Sequence, residues 1–130
     1  MSWKEEGNLY DFPYKIGVNA ELQGYLAYVG IVKSKITKDD LKVLEKTLDC
    51  HGGVTYLSTD YKQDSRFSKE DFDNYYWIGW DYLHADDYGD SIERIYDSAM
   101  IRRFPLPRTI ESIREDIEEV IKFLEITYNE

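Results

Sequence analysis

The segment Gly24-Tyr-Leu-Ala-Tyr-Val-Gly-Ile-Val32 constrains the fold more than any other stretch of the chain. Successive side chains of a strand point to opposite faces. Here Tyr25, Ala27, Val29 and Ile31 fall on one face, Leu26, Tyr28, Gly30 and Val32 on the other, and neither face is polar. A strand of this kind is expected at the centre of a sheet, covered on both sides. Tyr75–Asp81 repeats the pattern with larger rings. Tyr75, Trp77, Gly79 and Asp81 share one face, while Tyr76, Ile78, Trp80 and Tyr82 share the other.

The remaining elements follow from periodicity and end signals. Tyr14–Asn19 reads as a first strand and Val54–Ser58 as a short one, while residues 1–13 read as a polar arm ended by Pro13. A helix starts after Thr37, with Asp40 three residues on as a near capping box and Ile36 and Leu41 as a hydrophobic staple. Leu41, Leu44 and Leu48 form its stripe, and Gly52-Gly53 suit its termination. Residues 59–74 read as a loop or hairpin arm, Asp81–Gly89 as a loop, and Ser91–Arg102 as a short helix before the breaks at Pro105 and Pro107. Thr109 caps the last helix, whose stripe is Ile110, Ile113, Ile117, Val120, Ile121 and Leu124. With 130 residues the chain fits one domain. The expected class is α+β: a small, largely antiparallel sheet of three to five strands with two main helices packed on one face.

Charge and cysteine usage exclude several functions. The net charge of −10 argues against non-specific DNA or RNA binding, which needs cations to neutralise phosphates. It also argues against docking on anionic membrane, and suits either a basic partner protein or plain solubility. Cys50 is the one cysteine, so no internal disulfide is possible and a reducing compartment fits best. Met1–Glu6 lacks the apolar core of a signal peptide, and no apolar run has the length of a membrane span. A cytoplasmic protein is expected.

Both histidines, His51 and His84, stand beside predicted strand ends. If Val54–Ser58 and Tyr75–Trp80 pair antiparallel, His51 and the Asp81–Asp87 loop emerge at the same edge of the sheet. His51, Asp81, His84 and Asp87 would then suit a divalent metal or proton transfer. The plainer alternative is that both imidazoles hold loops together by hydrogen bonds. Gly52 and Gly53 would let a ligand approach the main chain. Tyr56, Trp77 and Trp80 offer rings for stacking a planar ligand, or simply fill the core. Arg102 and Arg103, with Arg108, suit phosphate or carboxylate, or pair with the acidic helix that follows. That helix carries Glu111, Glu115, Asp116, Glu118, Glu119 and Glu125, either as a solvated face or as a mimic of a phosphate backbone. No G-x-S-x-G, P-loop, G-x-G-x-x-G, H-E-x-x-H or C-x-x-C is present.

His51-Gly-Gly-Val-Thr-Tyr56, then Trp77-Ile-Gly-Trp-Asp81 and His84-Ala-Asp-Asp87, resemble a family of small phage and prophage proteins with H-G-G-x-T-Y-S and W-x-G-x-D-x-x-H-x-x-D segments. Tyr25–Val32 is similar to that family's upstream strand, and the resemblance covers residues 24–128. Leu57 departs from the small polar residue usual there, and residues 88–108 from the family's usual loop. The resemblance implies a viral or mobile-element origin and supplies no mechanism. The expected function is a phage-type accessory protein that binds a host component without catalysis, in counter-defence, by inhibiting a host protein or sequestering a nucleotide-like signal. The alternatives are a small metal-dependent hydrolase using His51, Asp81, His84 and Asp87, and a homo-oligomeric structural protein.

Overall fold

The computed structural model describes residues 2–19, 24–58, 66–82 and 109–128. Its centre is a five-stranded antiparallel sheet in the order β1-β2-β3-β5-β4. The strands are β1 (Ser2–Leu9), β2 (Phe12–Asn19), β3 (Gly24–Val32), β4 (Tyr56–Leu57) and β5 (Tyr75–Asp81). The helices are α1 (Lys38–Thr47), α2 (Lys69–Asn74) and α3 (Ile110–Tyr128). The two strands with apolar faces on both sides, β3 and β5, are neighbours, flanked by β2 and β4. Ala27 faces Trp80, Val29 faces Ile78 and Ile31 faces Tyr76 across their shared ladder.

One face of the sheet carries the main core. Phe12, Tyr14 and Ile16 of β2, Ala27, Val29 and Ile31 of β3, and Ile78 and Trp80 of β5 meet Leu41 and Leu44 of α1 and the Ile113–Leu124 stripe of α3. The two expected helices do pack on this face. Thr37 and Asp40 cap α1 reciprocally, as a capping box. Thr109 and Ser112 exchange equivalent bonds of 3.1 Å at the start of α3. The other face is covered by rings: Trp77 and Tyr28 pack with Phe67 and with Phe72 of α2, and Trp3, Tyr56 and Tyr75 close the edges. Lys15 lies among them, 5.5 Å from the Trp3 ring and 5.6 Å from the Trp77 ring, neutralised by Glu6 and Asp71.

Four expectations need correction. The polar arm is mostly β1, an edge strand whose residues alternate between exposed and half-buried. Pro13 ends nothing; it is the second residue of β2. Residues 69–74, expected in a loop or hairpin arm, form α2, capped by the Ser68 hydroxyl accepting from Asp71 N–H. Gly52 and Gly53 do not stop α1, which leaves helical geometry at Leu48; with φ of 70° and 81° they turn the chain afterwards. Leu48 is buried, so the chain departs extended to keep it in the core. The strand expected over Val54–Ser58 is Tyr56–Leu57, although Thr55 and Ser58 still donate to Gly79 and Trp77 carbonyls. The helix expected over Ser91–Arg102 lies outside the described residues.

Candidate functional site

The antiparallel pairing of β4 with β5 fixes what surrounds His51. Tyr56 opposes Gly79 and Leu57 opposes Ile78, so the segment before β4 lies beside the end of β5. The His51 imidazole stacks on the Tyr82 ring, with centroids 4.6 Å apart and planes within 14°. Tyr82 is held at both ends. Its N–H donates to Tyr25 O at 2.8 Å, and its hydroxyl donates to Asp116 Oδ2 at 2.6 Å while accepting from Trp80 Nε1 at 3.0 Å. The Trp80–Tyr82–Asp116 relay therefore ties the sheet to α3 and fixes one carboxylate beside the histidine.

A cleft of ≈ 250 Å³ opens here, lined by Asp49, Cys50, His51, Asp116, Glu119 and Val120. Asp116, Glu119 and Val120 are three and four residues apart on α3, which puts them on one helix face. Asp49 and Cys50 follow the exit from α1, and Gly53 N–H closes their turn on Cys50 O at 3.0 Å. Asp49 and Glu119 are exposed, Val120 is buried, and His51, Cys50 and Asp116 are half-buried, so the accessible lining of the cleft is mostly polar. Burial, and then the Asp49 charge, push the Cys50 thiol up to about 11, against a smaller opposing effect of a Gly53 backbone hydrogen bond. It is a thiol at neutral pH, not a nucleophile.

The other expected site residues are dispersed. Gly52 and Gly53 adjoin the cleft without lining it. Trp77 and Trp80 are 0% and 1% exposed, in the two separate cores, so neither ring is open for stacking a ligand. Tyr56 lies on the Trp77 side, with the Arg66 guanidinium 4.4 Å above its ring. Strand alternation puts Asp81 on that side too, opposite Tyr82. The carboxylates that line the cleft with His51 are Asp49, Asp116 and Glu119, and Asp81 is not among them. Among the described residues no group of three or more His, Cys, Asp or Glu side chains is arranged to hold a metal ion. His84, Asp87, Arg102 and Arg103 lie outside the described residues.

Sequence reasoning missed Asp49, Asp116 and Glu119. The two α3 acids sit in a run of six on that helix, and nothing local marks which of them face the cleft. No protein-family model, curated protein or solved structure matches the chain. No helix among the described residues is long and apolar enough to cross a membrane.

Proposed function

We propose that the chain is a non-catalytic accessory protein, of the phage type its motifs resemble, that binds a basic segment of a host protein at the cleft beside His51. The charge of the cleft carries this reading: Asp49, Asp116 and Glu119 surround a single imidazole. A nucleotide would bring phosphates against three carboxylates, whereas a cation gains from each of them. Size points the same way. At ≈ 250 Å³ the cleft is smaller than typical ligand sites of about 300–1,000 Å³. It suits one inserted side chain. Of the two counter-defence modes, inhibition of a host protein in the cytoplasm is therefore favoured over sequestration of a nucleotide signal. The hydrolase alternative draws on Asp81, which does not line the cleft with His51.

Fluorescence anisotropy with a labelled Lys/Arg-rich peptide, an acidic peptide of equal length and a labelled nucleotide tests this. The basic peptide should bind at physiological salt, and Asp116→Asn/Glu119→Gln should weaken it. Glu45→Gln/Glu70→Gln makes the same charge change at exposed positions outside the cleft and should not. Equal loss in both variants would reduce the effect to net charge, and nucleotide binding with an inert basic peptide would overturn the reading.

A further inference from the structure

Among the described residues, Tyr10 and Asp11 are the two outside glycine that are held at positive φ, 51° and 68°. They make up the whole turn between β1 and β2, since Leu9 and Phe12 already pair across the ladder. From this strained turn and from the way β1 is held, we infer that β1 exchanges between two copies of this chain. The turn opens, β1 and β2 run on as one extended strand, and each β1 pairs with β2 of the other copy. The inference is independent of the basic-partner reading above, and the partner it names is a second copy.

The driving force sits in the turn. Side chains with a Cβ are crowded in the left-handed region, and a bulky ring is a poor occupant of it. Tyr10 is 51% exposed, so packing of its ring does not offset the strain. In an open strand both residues return to extended backbone, which any residue adopts, and the strain is lost. A short hinge under strain is the feature that invites exchange of an element between copies. The chain beyond the hinge is already straight: Phe12 precedes Pro13, whose ring biases it to the extended region, and both lie in β2. What holds β1 is recovered in full on a second copy. Its ladder to β2 runs from Ser2–Val18 to Gly7–Tyr14, and the Tyr14 ring packs over Gly7. Trp3 Nε1 donates to the Arg66 carbonyl at 3.2 Å, Glu5 accepts from Arg114 and Tyr14, and Glu6 pairs with Lys15. None of these partners lies in the turn, so each bond forms equally well between copies. β1 is also the outermost strand, and its departure leaves the β2-β3-β5-β4 order intact. The opposing forces are the entropy of association and the net charge of −10 on each copy, so exchange is favoured by high protein concentration and by salt.

The test is to unfold the full chain, refold it at about 1 mM in physiological salt, and separate the products by size-exclusion chromatography with light scattering. A dimer should appear beside the monomer. Refolding an equal mixture of isotope-labelled and unlabelled chains, followed by an isotope-filtered Overhauser spectrum of the dimer, then reads the exchange itself. Gly7 of one copy should show contacts to the Tyr14 ring of the other. Tyr10→Asn/Asp11→Gly, which suits the closed turn, should raise the dimer dissociation constant about tenfold or more. Absence of any dimer at this concentration would overturn the inference. So would a dimer whose Gly7–Tyr14 contact stays within one chain, which would be association through an outer surface or edge without exchange. A Tyr10→Asn/Asp11→Gly variant that dimerises as readily as the parent would overturn it too, by removing the strained turn as the cause.

Discussion

Tyr10 and Asp11 turn the β1–β2 hairpin with φ of 51° and 68°. Two positive φ values in a two-residue loop are the type I′ geometry, which Asn-Gly adopts most readily because Cβ crowding penalises other residues. Tyr10 gains little in return, being half exposed. Replacing the pair by Tyr10→Asn/Asp11→Gly should raise stability by about 1 kcal/mol in urea unfolding; a loss would show that the Tyr10 ring makes a contact worth more than the strain. This turn was hidden in the sequence for the same reason, since Tyr-Asp is not a hairpin signal. Cys50 allows a second test at this scale. Its pKa is raised in the fold to about 11 from 9.0. Alkylation of the native protein should therefore stay slow at pH 8 and accelerate only above about pH 10. For linkage the sign is that of an acid whose folded pKa is raised: its contribution to stability is intact below pH 9 and is lost as pH rises towards 11. Rapid alkylation at pH 8 under native conditions would contradict the burial of this thiol. His51 itself was legible, from its place between a helix and a glycine pair. Its carboxylate neighbour was not, because Asp116 arrives through tertiary packing of a distant helix.

Elements with a regular apolar pattern, on both faces of β3 and β5 and along one stripe of α1 and α3, were the readable ones. Ile113, Ile117, Ile121 and Leu124 of α3 are all fully buried against the sheet. Ile117→Ala should cost about 2–5 kcal/mol, through lost burial and an incompletely collapsed cavity. A cost below about 1 kcal/mol, measured by denaturant unfolding, would mean that α3 is not docked as described. Elements at the margin of the sheet were unreadable for a physical reason. β1 is half solvated, so its polar residues carry no apolar alternation, and only Trp3 anchors it to the ring cluster. α2 spans six residues, too few to show a helical period. Across the molecule Arg114 of α3 fastens β1 through two bonds to Glu5, of 2.6 and 2.5 Å. That guanidinium, with help from Tyr14 and against partial burial, holds the Glu5 carboxyl below its ordinary 4.5. A lowered folded pKa gives stability that is present above pH 4.5 and lost as pH falls below it. Arg114→Gln should flatten that part of the acid unfolding profile, and an unchanged acid limb would remove the pair from the account.

At the scale of the whole molecule, three layers follow from β3 and β5 being apolar on both faces. Helices α1 and α3 cover one side, and Trp3, Phe67 and Phe72 cover Tyr28 and Trp77 on the other. The sequence showed that both sides had to be covered. It did not show that the second cover would be mostly rings, because those come from β1, from the segment around Phe67 and from α2, none of which carries a periodic signal. The same layering decides which motif residues meet. It sends Tyr56, Trp77 and Asp81 to the ring side and leaves His51 with Tyr82 and α3, so the cleft is acidic. The central claim is that strand pairing seats His51 on Tyr82 beside Asp116. Nuclear Overhauser spectroscopy measures this directly, and with two histidines in the chain the imidazole signals are readily assigned. The account predicts cross-peaks between the His51 and Tyr82 rings and an upfield ring-current shift of the imidazole protons, abolished by Tyr82→Leu. A His51 ring at unstructured-peptide shifts, with no contact to Tyr82, would contradict it.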